Sequence, residues 1–167
     1  MKKIMFNDKY DLTKKVISGQ KTMTRRIRRR LMPRYHVGER IAIAQSYNDI
    51  REEMKSHGYD ERIYTNFKTW PVYQEFNGNE NKMYVKSILM PHHIVITNIS
   101  SEPLQNISNE DCDKEGLDYL DDMGYTVADK IFHTPQQAFA YLIDKISGRG
   151  TWKSNPWVCI YEFKLVD

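Results

Sequence analysis

The sequence predicts an α+β fold: a small mixed β-barrel with flanking helices, in one domain spanning residues 1–167. Three observations predict it. Five or six short segments carry the apolar alternation of strands, stretches with three-to-four apolar spacing interrupt them, and no repeat, low-complexity tract or linker divides the chain. A chain of this length buries about 70% of its unfolded surface, so one core is sufficient.

The elements follow in order. Lys3 to Phe6 reads as a short strand, and Tyr10 to Ser18 as a helix whose Leu12 and Val16 share a face and which Gly19 ends. Thr22 to Ile27 alternates β-branched residues and reads as a second strand. A turn at Val37-Gly38 leads into a strand with Ile41 and Ile43 inward. Residues 48–58 form a polar helix ending at Gly58, and 48–81 as a whole reads as an insertion, its later part rich in Tyr, Asn and Gly. Met83 to Leu89 and His92 to Ile99 are expected strands, separated at Met90-Pro91 because proline cannot donate to a ladder. Ser108 caps a short helix, Asp111 answers it three residues later, and the helix stops near Glu115-Gly116. Residues 135–146 form an amphipathic helix with Phe139, Leu142, Ile143 and Ile146 inward, and Trp157 to Leu165 closes the chain as a strand.

Composition narrows the classes. The chain is 40% hydrophobic and 12% aromatic, which argues against a disordered segment despite a mean hydropathy of −0.68. Cys112 and Cys159 are the only cysteines and sit in no CxxC, so neither a disulfide framework nor a thiol metal site is expected, and both thiols are expected reduced in a cytoplasm. No apolar run approaches the roughly 18 residues of a membrane span, and the first residues lack the apolar stretch of a signal peptide. His92 and His93 face opposite ways on a strand and no HxxxH or HxH occurs, so no metal is expected, and no cofactor.

Charge is segregated. Lys21, Arg25, Arg26, Arg28, Arg29, Arg30 and Arg34 crowd one segment, while Glu102, Glu110, Asp111, Asp113, Glu115 and Asp118 crowd another. Either the basic segment presents a positive surface that attracts phosphates, or the two segments neutralise each other in the fold. Guanidiniums grip phosphate by paired hydrogen bonds, which makes Arg25 and Arg26 binding candidates, although neighbours on a strand point to opposite faces and only one can enter a shared cleft. Trp152 and Asn155 are candidates for stacking on and reading a base, and Trp157, in a terminal strand, is expected in the core. The SGRG stretch at 147–150 offers backbone amides to a phosphate.

The ordered set SGQKTMTRR, VGERIAIAQSY, SILMPHH, LQNISNEDCDKEGL and WKSNPWVCIYEF resembles the ASCH domain, in particular its phage-type members. ASCH domains are similar to PUA domains, so the resemblance implies a pseudo-barrel with a cleft and a role in binding RNA or a nucleotide. One branch of ASCH proteins hydrolyses the amide of N4-acetylcytidine with a lysine and a threonine from a K-x-x-T motif and a distant glutamate. Those residues fall here on Lys21, Thr24 and Glu115. The chain departs from the phage-type pattern at Ala42, Ala44 and Gln45, where Trp, Arg and Glu are frequent, and at Tyr84, Lys86 and His93. Gln45 is counted among the binding residues on this resemblance.

The chemistry that this resemblance implies has definite requirements. Amide hydrolysis needs an activated nucleophile, a proton donor for the departing amine and stabilisation of the oxyanion. The expected roles are Thr24 as nucleophile, a neutral Lys21 as base and Glu115 as proton shuttle. Residues three apart on a strand diverge, so Lys21 and Thr24 converge only if Lys21 lies in the turn after Gly19 or a bulge shifts the register. The expected partner is RNA or a modified nucleoside.

Overall fold

The computed structural model describes residues 1–58 and 80–167. The chain is α+β. Its strands are β1 (Lys3–Ile4), β2 (Met23–Ile27), β3 (Arg40–Ile43), β4 (His93–Pro103), β5 (Asp118–Leu120), β6 (Gly124–Val127), β7 (Lys130–Phe132) and β8 (Trp157–Leu165). The helices are α1 (Leu12–Ile17), α2 (Tyr47–Ser56), α3 (Asn109–Lys114), α4 (Pro135–Ser147) and α5 (Thr151–Ser154). No helix among the described residues is long and apolar enough to cross a membrane.

Five strands form a mixed sheet in the order β1-β3-β4-β8-β2, and β5-β6-β7 form a separate antiparallel sheet. The β4–β8 ladder is the spine of the large sheet, running from Ile94↔Leu165 to Pro103↔Trp157 with a register shift between Ile96 and Asn98. A shift of this kind bends and twists a strand. Among the described residues no ladder joins β1 to β2, so backbone pairing does not close the expected barrel. The sheet nevertheless curls. Four inter-strand steps of about 4.8 Å would separate its edges by about 19 Å if it were flat, yet Arg26 on β2 donates to the carbonyl of Met5, the residue after β1, at 2.6 Å.

One apolar cluster joins the elements. Ile4, Ile41, Ile43, Ile94 and Ile96 from the large sheet meet Leu12 and Val16 of α1, Cys112 of α3, and Phe139, Leu142 and Ile143 of α4. Ile146, expected inward, is 37% exposed because it lies in the final turn of α4, where the helix leaves the core. The other face of β3 holds a second cluster in which Ala42 and Ala44 pack with Tyr47, Ile50, Val85 and Met90. Small residues there admit α2 close to the sheet.

Local signals proved sound for most helices and long strands, and three expectations change. Met83 to Leu89 is no strand but two 3-10 turns, Lys82–Tyr84 and Ser87–Leu89. The Lys3 ammonium holds the carbonyls of Met83 and Val85 at 2.7 and 2.8 Å, so these acceptors serve a side chain instead of a ladder. Residues 118–132, which carried no strand expectation, form the small sheet; its β6–β7 turn puts Ala128 at φ 54°, without the Asn-Gly signature of such turns. Within the expected insertion, 47–56 is the helix α2, started by a Ser46–Asp49 capping box, and residues 59–79 lie outside the described residues.

Candidate functional site

The connection between α1 and β2 places Lys21. Gly19 leaves α1 at φ 80°, the Lys21 amide folds back onto the Lys15 carbonyl at 2.8 Å, and the Thr22 amide donates to the Lys114 carbonyl at the end of α3 at 3.0 Å. Lys21 thus lies in the turn and not on the strand, one of the two ways in which it was expected to approach the site. Gly116 completes the seat: its φ is 87°, and a Cβ there would come within 3.0 Å of Lys21 Cβ.

Glu115 is the C-terminal cap of α3, whose N-terminus is secured by the Ser108 hydroxyl accepting from the Asp111 amide at 3.1 Å. A carboxylate at the negative end of a helix is unfavourable unless cations answer it. Lys21 Nζ does so, lying 2.5 Å from Glu115 Oε2 and donating to the Glu115 carbonyl at 2.7 Å. Both side chains are buried, at 3% and 5% exposure. Burial pushes the Lys21 ammonium below its ordinary pKa; Glu115 opposes that shift, and the Arg26 and Arg25 charges add to it.

Arg25 closes the network from β2. Its guanidinium has no exposed surface and bonds to Asp111 at 2.6 Å, Glu102 at 2.9 Å and Glu115 Oε1 at 3.3 Å. Burial works against its charge, but Glu115 and the bonds from Glu102 and Asp111 outweigh that and raise its pKa. Its Nε–H is left without a partner. Two cations therefore face three carboxylates, so here the basic and acidic segments neutralise one another. Arg25 is not available as a phosphate clamp.

Met23 Sδ lies 3.0 Å from Arg25 Nη1, so these two share a strand face. Thr24 points to the other face, buried at 5% exposure and opposite Tyr161 in the ladder. The structure brings Lys21 and Glu115 into contact and holds Thr24 three residues along, with no hydrogen bond from its hydroxyl to either. Arg26 shares the Thr24 face, is exposed, and lies over the Phe6 ring at 5.5 Å. Arg28, Arg29 and Arg30 are exposed and form no ion pair with a described residue; the Arg28 guanidinium donates only to the Arg30 and Leu31 carbonyls.

The remaining expected residues lie elsewhere, with no described hydrogen bond, ion pair or ring contact to Lys21, Thr24 or Glu115. Gln45 is buried and donates to Glu53 at 3.0 Å. Asn155 accepts from the Gln105 amide at 2.8 Å, which commits its carbonyl oxygen to the fold. Trp152 packs edge-on against Phe139 with ring centroids 6.2 Å apart, whereas Trp157, expected in the core, is 56% exposed. The tryptophans exchange places because β8 begins at Trp157 with its outward residue and Val158 takes the inward position. Of the amides offered at SGRG, that of Gly150 is already in use: Asp144 accepts from Gly150 N at 3.1 Å and, just beyond the stretch, from Trp152 N at 2.7 Å, so an internal carboxylate occupies this end of the loop. His92 pairs with Glu53 and His93 with Asp167.

Sequence reasoning missed Glu102 and Asp111 as Arg25 partners, because the chain brings them together from 77 and 86 residues away. Compared with family models, curated proteins and solved structures, the chain matches none of them.

Proposed function

We propose that this chain is an ASCH-type domain with a PUA-like pseudo-barrel, and that it hydrolyses the N4-acyl amide of a cytidine-like nucleoside. The buried contact of Lys21 with Glu115 carries this reading, because an ion pair held out of water at a lysine whose pKa is depressed is a typical arrangement for proton transfer. The near approach of the sheet edges through Arg26 supports the pseudo-barrel. The internal neutralisation of Arg25 favours an uncharged base and acyl group at this spot over a phosphate.

In the proposed reaction Lys21 first gives its proton to Glu115, and the neutral amine then takes the Thr24 hydroxyl proton through one intervening water as Thr24 Oγ attacks the acyl carbonyl. The tetrahedral adduct collapses with cleavage of the carbonyl–N4 bond, and the proton passes from Lys21 through Glu115 to N4, so that neutral cytidine departs. Water then hydrolyses the acyl-threonine, releasing the carboxylic acid. The test is incubation with N4-acetylcytidine and chromatography of released cytidine: turnover is expected, and Lys21→Ala is expected to lower it by about 10²–10⁴-fold. No turnover, or turnover unchanged in that variant, rules the reading out.

A second reading, an RNA-binding module, draws on a separate observation: Arg28, Arg29 and Arg30 are exposed in the segment after β2, and the Arg28 backbone amide donates to the carbonyl of the exposed Trp157 at 2.9 Å. Exposed guanidiniums in a segment joined to an exposed indole suit a single strand. Absence of RNA binding at low salt would remove it.

A further inference from the structure

A cavity of about 150 Å³ lies between the start of α1, the segment leading into β5, the end of β6 and one residue of α4. Leu12, Leu117, Val127 and Leu142, all buried, form its apolar floor. An apolar cavity of that volume admits a benzene ring. Its polar wall comes from Lys9, Tyr10, Asp11, Lys15, Asp118 and Thr126.

The bonds made within this wall determine what it can still hold. Both carboxylates are answered from inside the chain: Asp11 pairs with Lys14 at 3.2 Å, and Asp118 accepts from Lys15 at 2.6 Å and from Gln20 at 2.9 Å. The donors are not all spent. An ammonium carries three N–H groups, and Lys15 gives one to Asp118 and one to the Gly116 carbonyl at 2.9 Å, so a third remains on a side chain only 13% exposed. The Lys9 ammonium and the Tyr10 and Thr126 hydroxyls have no hydrogen-bond or ion-pair partner among the described residues. With Lys14 counted beside Asp11, three ammoniums stand against two carboxylates. The complement of such a wall is an anion with several acceptor lone pairs, and the floor asks that it carry a compact apolar body. Inorganic phosphate does not fit, because its oxygens point to every side and some would press unpaired on the four apolar side chains.

We infer that this cavity is a second binding site, for a small monocarboxylate with a ring-sized apolar body. Its carboxylate accepts from the spare N–H of Lys15 and from the Lys9 ammonium at the exposed rim, and its body lies on Leu12, Leu117, Val127 and Leu142. Lys21, Thr24 and Glu115 do not line the cavity, so the inference stands apart from the amide-hydrolysis reading.

The test is an NMR titration of the full chain, ¹³C-labelled at the Leu and Val methyls, with benzoate as probe. Benzamide keeps the ring without the charge, and acetate keeps the charge without the ring. Saturable shifts of the Val127 and Leu142 methyls with benzoate are expected, with benzamide and acetate each binding about tenfold more weakly or worse. Lys15→Met should weaken benzoate binding about tenfold or more, the effect of one charge-assisted hydrogen bond. The inference is overturned if benzoate produces no saturable shift of these methyls, if benzamide or acetate binds as tightly, or if a folded Lys15→Met chain binds unchanged. Should that variant unfold, Lys9→Met, at an exposed position, takes its place under the same criterion.

Discussion

Lys21 and Glu115, 94 residues apart in sequence, meet at 2.5 Å with both side chains almost wholly removed from water. The contact joins the turn after α1 to the end of α3, so it is at once a tertiary clasp and the centre of the candidate site. Removing either partner has unequal consequences. Glu115→Ala strands the Lys21 ammonium, whose described side-chain partner is Glu115 alone, whereas Lys21→Met leaves Glu115 its bond to Arg25. We expect Glu115→Ala to cost about 3–5 kcal/mol and Lys21→Met distinctly less, measured by urea unfolding of both variants. Equal losses would mean that Arg25 does not support Glu115.

Alkaline pH should reveal the same pair. The folded-state pKa of Lys21 lies below its ordinary 10.5, so between those two values the unfolded chain binds more protons than the folded one. Stability therefore rises with pH across that window and the contribution is lost as pH falls through the folded value. Tyr35 and Tyr161, raised by burial, act with the opposite sign above 10.0. The difference in unfolding midpoint between the wild-type chain and Lys21→Met cancels the tyrosines, and it should grow in favour of the wild type as pH approaches 10.5. A flat difference would show an unperturbed lysine.

The exposed arginines make a separate prediction. If RNA follows Arg28, Arg29 and Arg30, replacing all three by Gln should reduce the logarithmic salt dependence of binding by about 0.7 per lost phosphate contact. Trp157→Ala should then weaken binding by about 1–3 kcal/mol with the salt slope unchanged, because stacking is not ionic. Filter binding at several salt concentrations separates the two effects.

Cys112 tests the integrity of the core beside the site. It is fully buried, and burial pushes its thiol up to about 12, with the nearby Glu115, Asp113 and Asp111 adding to the shift and Arg25 opposing it. Iodoacetamide at neutral pH should leave Cys112 unmodified in the folded chain and alkylate it only as the chain unfolds, as read by peptide mass spectrometry. Rapid labelling without unfolding would place the thiol outside the core.

Asp144 offers a last check on the loop after α4. Its carboxylate takes the place that a phosphate was expected to fill, accepting from Gly150 and Trp152. Asp144→Ala should cost about 1–3 kcal/mol in thermal or urea unfolding, because two backbone donors lose a charged acceptor. A change within a few tenths would show that water replaces it freely.

What the sequence determined by itself is what short-range chemistry controls. Apolar spacing located α4, hydroxyl caps started α3, Gly19 ended α1, and alternation marked β3 and β8, since each depends on residues within a few positions of one another. Lys21 and Glu115 were singled out only by the resemblance to ASCH domains and by no local rule of spacing, and it took the folded chain to put their charges together. The tertiary structure alone decided that Arg25 is consumed by three carboxylates, that Trp152 is packed and Trp157 exposed, and that Gln45 serves Glu53 away from Lys21. Which charge is neutralised and which aromatic is covered depends on neighbours that arrive from tens of residues away, and no local pattern encodes their distance.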